Sequence, residues 1–379
     1  MVLWFYGSAL GGVVADVVIV GGGIIGLSTA YYLAREGATV TVLERAAVSS
    51  EASGAAAGML AALSDEGERP PLFMRLCDDS LKLYDTLLPA LRETGTDVYH
   101  RRTDILHVAV TKREAEATEA LYEKRRATAP VRWLDAAEVL RLEPKASPKT
   151  VAAMLTPRAQ YADPLRLTQA IGEAARRAGT TVREQEPVVR FLRKSDRIAA
   201  VRTPGGVYEG DTVLLAGGPW TMALAKRLGA NIPVRPVRGQ MLSLEGPPGG
   251  LSHMIWGANA YLIPREDGQT YVGATVEDVG YRKHTTSAGL RGLRAGASAV
   301  VPALADAKER RSWAGLRPGA PDDMPIMGPL PGWSNVWVST GHFRNGILLA
   351  PISGQLMAKS ILAGKAEPLL AELSPTRFE

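Results

Sequence analysis

Residues 17–26 are Val17-Val18-Ile19-Val20-Gly21-Gly22-Gly23-Ile24-Ile25-Gly26, an apolar run that ends in a glycine-rich turn. A continuous apolar run of this kind is typical of a buried parallel strand, and residues 24–35 carry the apolar periodicity of a helix. A second apolar run follows at residues 39–43, with Glu44 at its end. The order strand, helix, strand predicts a compact βαβ unit.

The glycines of this unit have separate expected roles. Gly21 allows the tight turn, Gly23 lets the backbone approach a pyrophosphate, and Gly26 lets the helix and strand pack closely. Glu44 is placed to bind a ribose hydroxyl. The stretch therefore predicts a bound dinucleotide, and at this point nicotinamide and flavin dinucleotides are both open. The alternative is a glycine turn that serves packing only.

Composition limits the class of protein. The 379 residues suggest two domains or one elaborated α/β domain, and 46% hydrophobic with 22% charged residues is typical of a globular chain. Cys77 is the single cysteine, which excludes an intrachain disulfide and a cysteine-rich metal site, and a cytoplasmic location is the default expectation. We predict no bound metal.

Charge and hydropathy argue against nucleic-acid binding and against membrane association. The net charge of +5 is spread without long basic runs, so no nucleic-acid partner is predicted. Residues 1–15 are apolar but lack the positive n-region of a signal peptide, and we interpret them as an N-terminal extension. Because no other segment approaches the roughly 20 uninterrupted apolar residues of a membrane span, no stable membrane association is expected.

A second strand that ends in glycines, at residues 213–220, lies far from the first. This spacing predicts an α/β fold with a Rossmann-type domain assembled from discontinuous segments, and an inserted α+β substrate domain built on an antiparallel sheet. Residues 181–191 are predicted as one strand. The predicted boundaries are 1–15 for the extension, 16–85, 152–230 and 311–379 for the cofactor-binding domain, and 86–151 and 231–310 for the substrate-binding domain.

The C-terminal part contains another turn of interest. A strand at residues 335–340 is followed by Gly341-His342-Phe343-Arg344-Asn345-Gly346 and then by an apolar helix from Ile347. A glycine-flanked turn that opens a helix places backbone N–H groups and the positive end of the helix dipole at one point. An anion, or a ring that gains negative charge, would be stabilised there.

Seven segments together resemble the FAD-dependent amine oxidoreductases of the D-amino acid oxidase family. Two of them, residues 55–60 and 341–351, look most like the glycine oxidase branch of the thiamin pathway. The segments are Gly-Gly-Gly-Ile-Ile-Gly-Leu-Ser (21–28), Ala-Ala-Ala-Gly-Met-Leu (55–60), Val-Leu-Glu-Arg (42–45), Val-Arg-Gly-Gln (237–240), Tyr-Leu-Ile-Pro-Arg (261–265), Trp-Ala-Gly-Leu-Arg-Pro (313–318) and Gly-His-Phe-Arg-Asn-Gly-Ile-Leu-Leu-Ala-Pro (341–351).

The resemblance implies a bound FAD. The position of the flavin-linking cysteine in monomeric sarcosine oxidase corresponds to about Gly315, and Cys77 is far away in sequence, so a noncovalent cofactor is implied. The implied cofactor-binding residues are Gly21, Gly23, Ile24, Ile25, Gly26, Glu44, Arg45, Ser53, Ala56, Ala57, Gly58, Met59, Val188, Gly217, Gly341, His342, Arg344, Asn345, Gly346 and Ile347.

The resemblance also implies a substrate site. Arg317, in a Gly-Leu-Arg-Pro turn, would hold the substrate carboxylate, and the Tyr261 hydroxyl would help to hold it. Arg344 would be a second arginine near the substrate, or a structural residue of the flavin loop. Met59 would crowd the pocket. Asn259 stands where glycine oxidases have a histidine two residues before the tyrosine, and this departure alters the polar rim of the pocket.

The implied activity is oxidative deamination of glycine, sarcosine or small D-amino acids, by hydride transfer from Cα to FAD. The products would be an imine or oxo acid, ammonia and hydrogen peroxide, and glycine imine would be supplied to thiamin biosynthesis. No motif supplies a general base. Two alternatives stay open: a D-amino acid dehydrogenase that passes electrons to a quinone or carrier, and a noncatalytic FAD-binding subunit. The implied partners are the amino acid, oxygen and further copies of the chain in a homo-oligomer.

Overall fold

The computed structural model describes residues 15–61 and 70–379. The extension expected at residues 1–15 lies outside the described residues except for Ala15. The strands are β1 (Asp16–Val20), β2 (Thr39–Leu43), β3 (Met59–Leu60), β4 (Arg101–Ala109), β5 (Arg132–Asp135), β6 (Ala152–Tyr161), β7 (Thr181–Arg183), β8 (Arg190–Lys194), β9 (Arg197–Thr203), β10 (Gly206–Glu209), β11 (Thr212–Leu215), β12 (Arg235–Glu245), β13 (Met254–Trp256), β14 (Tyr261–Pro264), β15 (Gln269–Gly273), β16 (Glu309–Gly319), β17 (Ile326–Pro329) and β18 (Val336–Thr340).

The helices alternate with these strands. Short 3-10 helices span Gly218–Trp220, Pro302–Leu304, Pro368–Leu370 and Pro375–Phe378. The α-helices are α1 (Ile24–Arg35), α2 (Ala52–Ala55), α3 (Pro71–Arg92), α4 (Lys112–Arg125), α5 (Ala136–Leu142), α6 (Pro164–Arg177), α7 (Thr221–Lys226), α8 (Ser287–Val300) and α9 (Gly346–Ala363).

A six-stranded sheet carries the first glycine turn. Its strand order is β17-β18-β11-β1-β2-β7, and every pairing is parallel except that of β17 with β18. The strands come from both ends and the middle of the chain. Strands β11 and β18 lie on one side of β1, and strands β2 and β7 lie on the other side. The expected α/β fold, with a Rossmann-type unit assembled from discontinuous segments, is confirmed.

Apolar helices cover one face of this sheet. Helix α1 packs against α9 and α6, and α9 also packs against α3, so that their apolar faces form one core. Among the described residues, α9 is the one helix long and apolar enough to cross a membrane. Most of α9 is buried within this core, as expected for the central helix of a globular fold.

A nine-stranded, mainly antiparallel sheet forms the second layer. Its order is β16-β12-β15-β14-β13-β4-β6-β3, and β5 pairs with β6 outside this path. Strands β3 and β6 and most of β16 belong to segments that the sequence assigned to the cofactor-binding domain, yet they pair in this sheet. The domain boundaries themselves stay a prediction.

Two local predictions were wrong. Residues 181–191 are not one strand: β7 pairs with β2, whereas β8 belongs to a separate three-stranded sheet with β9 and β10. Pro187 lies between the two pieces and has no N–H for a continuous ladder. Arg317 does not lie in a turn, because β16 continues through it and pairs Arg317 with Val237 of β12.

Candidate active site

A cavity of about 1140 Å³ lies where the two sheets meet. Residues at the carboxyl ends of β1, β2 and β11 line one part of it, including Val20, Leu43 and Ala216. Residues of β12, β14 and β16 line another part, including Gly239, Tyr261 and Arg317. The carboxyl ends of parallel strands are where open α/β sheets bind ligands. The volume exceeds the range of about 300–1,000 Å³ that is usual for small-molecule pockets, which suits an extended ligand.

The glycine turn has the conformation that its role requires. Gly21 has a φ of +123°, and a Cβ there would overlap the carbonyl oxygen of Ala216. The Gly21 N–H donates to the carbonyl oxygen of Leu43 at 2.9 Å, which ties β1 to β2 at the turn. Gly26 does not line the cavity; a Cβ there would overlap the Gly21 carbonyl, so Gly26 serves the packing of α1 on β1.

Two helices begin at the cavity. Gly23 is the N-cap of α1 and Gly346 is the first residue of α9, and both line the cavity. Neither first turn contains an acidic residue, so nothing from the helices themselves neutralises the positive ends of the two dipoles. Ser53 Oγ accepts the Ile24 N–H at 2.9 Å and thereby holds the 52–58 segment beside α1. These features fit the pyrophosphate and the electron-poor ring system of FAD.

Glu44 is held in one orientation by the backbone. Its Oε2 accepts the Gly22 N–H at 2.7 Å, and its Oε1 accepts the Ala46 N–H at 2.9 Å. The side chain is buried but lines the cavity. A carboxylate oxygen can accept more than one hydrogen bond, so Glu44 retains acceptor capacity for a ribose hydroxyl.

Four side chains connect two segments of the chain beside the cavity, and we define them as the clasp: Arg45, Glu51, Tyr281 and Lys283. Arg45 and Glu51 line the cavity. Arg45 Nη2 and Lys283 Nζ each lie 2.8 Å from a carboxylate oxygen of Glu51. The Arg45 guanidinium also lies 3.7 Å from the ring centroid of Trp220. The Tyr281 hydroxyl donates to a backbone carbonyl at 2.9 Å, next to Trp220. The segment that follows β15 is thereby fastened to the dinucleotide side, which the sequence did not reveal.

Replacing Lys283 with methionine should speed the release of FAD about two- to fivefold, since an exposed ion pair contributes little. The measurement is the rise of flavin fluorescence after dilution of the loaded protein. Added salt should reduce the difference from the wild-type chain, because salt screens the Lys283–Glu51 pair. Lys365→Met, at the exposed end of α9, is the control. Equal release rates for the Lys283 and Lys365 variants at low salt would show that the clasp does not retain the cofactor.

The predicted carboxylate-binding residues converge at the other side of the cavity. Arg317 Nη1 donates to the Thr275 carbonyl oxygen at 3.0 Å, and Arg317 also hydrogen-bonds the Tyr261 hydroxyl. That hydroxyl lies 3.4 Å from Met241 Sδ. A Cβ on Gly239 would overlap the Arg317 guanidinium, so the absence of a side chain at Gly239 makes the space in which Arg317 lies.

The electrostatics of Tyr261 agree with this arrangement. Burial raises the pKa of Tyr261, and the nearby positive charges of Arg317 and Arg344 oppose that rise without cancelling it. The phenol therefore stays protonated at neutral pH and can act as a hydrogen-bond donor. Arg344 is exposed and lies 5.4 Å from the ring centroid of Phe343. The structure thus brings all three predicted catalytic residues to one part of the cavity.

The pocket wall around Tyr261 is apolar. Trp256 stacks on Tyr261 with ring centroids 5.4 Å apart, and Met59 joins the same hydrophobic cluster. Asn259 is exposed at the rim. The sequence interpretation missed Trp256, as well as Gly239 and Gly273, whose missing side chains make room for Arg317 and Tyr261. Glycines inside strands were the available signal, because they often mark a close approach.

All the predicted site residues line the cavity except Gly26 and Gly341. Gly341 has a φ of +76° and lies against Ile326, which indicates a role in the turn before α9. His342 is buried, and its Nε2 lies 2.9 Å from Ser353 Oγ. Burial lowers the pKa of His342 to about 3, so its ring is neutral at physiological pH. The roles of the lining residues in binding stay predictions.

A bound metal or a covalent link to the flavin would each need particular side chains in the described part of the chain. Residues 15–61 and 70–379 contain no group of three or more His, Cys, Asp or Glu side chains that could hold a metal. Cys77 lies in α3, is fully buried in the core and does not line the cavity. Gly315 lines the cavity and has no side chain with which to form a link.

Comparisons with known proteins agree with this site. A family model described as FAD dependent oxidoreductase matches residues 16–360. A glycine oxidase of Pseudomonas aeruginosa is 35% identical over 356 residues, which cover 93% of this chain and 96% of that protein. A bifunctional protein ThiO/ThiG of Trichormus variabilis is 33% identical over 369 residues, which cover 96% of this chain and 55% of that protein.

A solved structure is similar to this chain over nearly its whole length. The crystal structure of glycine oxidase from Geobacillus kaustophilus matches with a TM-score of 0.89 at 32% sequence identity. The match covers 96% of this chain and 98% of that one. The similarity therefore extends over both sheets and the cavity between them.

Proposed function

Because the chain belongs to the FAD-dependent oxidoreductase family that matches its residues 16–360, we propose that it is an amino acid oxidase of the glycine oxidase type. It oxidises glycine, sarcosine or small D-amino acids to an imine. Water hydrolyses the imine of a primary amino acid to an oxo acid and ammonia, and that of sarcosine to an oxo acid and methylamine. Oxygen accepts the electrons and becomes hydrogen peroxide. The observation that carries the proposal is the contact of Arg317 with Tyr261 in the same cavity that the glycine turn lines.

Arg317 and Tyr261 act by placing the substrate. The guanidinium of Arg317 binds the substrate carboxylate through two hydrogen bonds, which fixes its orientation as well as its position. The protonated Tyr261 hydroxyl donates a third. These three hydrogen bonds direct the Cα–H bond into the cavity, where reacting atoms need to approach within about 3–3.5 Å. FAD, when bound, supplies the two-electron acceptor.

The proton balance constrains the form of the substrate that reacts. His342 is the histidine among the described lining residues, and its low pKa makes it too weak a base to deprotonate an ammonium group. The amine therefore has to be neutral when it reacts. The apolar wall of Met59, Met241 and Trp256 favours the neutral amine, since burial opposes charge.

FAD is noncovalent in this proposal. The buried position of Cys77 and the missing side chain at Gly315 support it. A cytoplasmic location, assembly into a homo-oligomer and the supply of glycine imine to thiamin biosynthesis complete the proposal. Light scattering of the purified protein measures the oligomeric state.

A substrate screen tests the proposal. The purified, FAD-loaded protein should produce hydrogen peroxide with at least one of glycine, sarcosine, D-alanine and D-proline. With glycine or D-alanine it should release ammonia in an amount equal to the peroxide. Protein that is bleached by these substrates but stays reduced in air would indicate a dehydrogenase with another electron acceptor. Protein whose flavin spectrum none of them changes would indicate a noncatalytic subunit and would contradict the proposal.

A further inference from the structure

A polar network lies directly behind Arg317, outside the cavity lining. Its first member is Thr275, whose carbonyl oxygen accepts the hydrogen bond from Arg317. The backbone from Thr275 to Glu277 runs antiparallel to β12: the Arg238 N–H donates to the Glu277 carbonyl at 2.9 Å, and the Glu277 N–H returns to the Arg238 carbonyl at 3.0 Å. The Gln240 N–H donates to Thr275 Oγ1 at 2.9 Å.

The Glu277 carboxylate is the centre of this network. Its Oε1 accepts from Gln240 Nε2 at 2.7 Å, and its Oε2 accepts from Arg238 Nε at 3.0 Å and from Arg238 Nη2. It also hydrogen-bonds the Thr275 hydroxyl. Burial opposes ionisation, but the hydrogen bonds from Thr275, Arg238 and Gln240 outweigh it and lower the pKa of Glu277. The carboxylate is therefore ionised at neutral pH.

The partners of Glu277 are deeply buried. Gln240 is 0% exposed and Arg238 is 4% exposed. Gln240 is further fixed by Thr286, whose N–H donates to Gln240 Oε1 at 2.6 Å. Thr275 is thus held through both its side chain and its backbone, and its carbonyl oxygen accepts a hydrogen bond from the Arg317 guanidinium. Glu277 itself is partly exposed, with 25% of its side-chain surface accessible, but it satisfies two buried partners. Polar networks rigidify the groups attached to them when every member is satisfied.

We propose that Glu277 is a positioning residue for substrate binding, which acts through Thr275 to fix the guanidinium of Arg317. The proposal rests on the proposed function, because Arg317 is assigned there to the substrate carboxylate. Glu277 itself does not touch the substrate. Its loss leaves Arg317 present and charged but free to lie in more than one place, so the carboxylate loses its aligned partner.

The test uses glycolate, which is glycine with a hydroxyl in place of the amine and therefore cannot be oxidised as an amine. Its binding to the FAD-loaded protein is followed by the change in the flavin spectrum. Glu277→Gln should raise the Kd for glycolate and the KM for glycine about tenfold, because a misplaced guanidinium loses part of its paired contact. The kcat at saturating glycine and the Kd for FAD should stay close to those of the wild-type chain.

Two further variants make the result decisive. Thr275→Val keeps the shape of the side chain and the backbone carbonyl but removes the hydroxyl that Glu277 holds. It should raise the Kd for glycolate by a smaller factor, and it decides the question if Glu277→Gln does not fold. Asp278→Asn is the matched control, because Asp278 is the exposed neighbour and pairs with Arg235 on the surface at 2.9 Å.

An unchanged Kd for glycolate in the folded Glu277 and Thr275 variants, with tight binding by the wild-type chain, would overturn the positioning role alone. A rise as large in Asp278→Asn would overturn it too. A wild-type protein that binds no glycolate and oxidises no amino acid would overturn the proposed function, and the positioning role with it. A fall in thermal midpoint at an unchanged glycolate Kd would show that Glu277 serves stability only.

Discussion

Replacing Arg317 with leucine should raise the KM for glycine by about 30- to 1,000-fold, which corresponds to about 2–4 kcal/mol for a buried charge-assisted pair. Leucine leaves the substrate carboxylate in the cavity without a cation to bind it. FAD binding should persist, because the glycine turn and the starts of α1 and α9 are on other elements. Steady-state kinetics and a flavin absorption spectrum of the purified variant measure the two effects.

One companion variant shows what part of the rise in KM comes from the geometry of the guanidinium, and a second variant is the control. Arg317→Lys retains a positive charge but not the planar fork, so its KM should fall between those of the wild type and the leucine variant. Arg310→Leu is the control, because Arg310 lies on the same strand and pairs with Glu245 at the surface. Wild-type kinetics in Arg317→Leu would remove Arg317 from the substrate site.

Replacing Gly239 with alanine should lower kcat/KM for glycine about 100-fold although every charged residue of the site is present, because a displacement of about 1 Å is enough to cost this factor. The new Cβ would overlap the Arg317 guanidinium. The end of a long side chain moves more easily than the paired backbone of β12 and β16, so Arg317 should move and the fold should persist. The kcat/KM for glycine and the thermal midpoint are the two measurements.

Gly292→Ala is the matched control for this substitution. Gly292 lies in α8, and a Cβ there would meet nothing within 4 Å. Its kinetics should equal those of the wild type, and its stability should rise slightly because alanine favours helices. A Gly239→Ala variant with the substrate affinity of the wild type would show that the position of Arg317 does not limit binding.

The parts of the fold that local sequence determines could be predicted. The bounds of α1 and β2 follow from apolar periodicity and from the glycines beside them, and the structure reproduces both. The start of α9 at the glycine-flanked turn follows in the same way. The resemblance to a known family placed Arg317, Tyr261 and Arg344 in one site, and the structure brings them together.

The parts that depend on distant pairing could not be predicted. The sequence around Arg317 resembles a turn because Pro318 follows it, whereas pairing with β12 extends the strand through it. Residues 181–191 alternate like one strand but divide between two sheets. Glu277 has no local motif at all. Its role follows only from the approach of β12, which lies almost 40 residues earlier in the chain.

The central claim is that this cavity holds FAD and passes the electrons of an amino acid to it. The most direct measurement is the visible absorption of the FAD-loaded protein when glycine is added without oxygen. The absorption should disappear in the wild type, disappear only at much higher glycine in Arg317→Leu, and return when air is admitted, with one hydrogen peroxide formed for each flavin reoxidised. A spectrum that no amino acid changes, in protein that does contain FAD, would contradict the account.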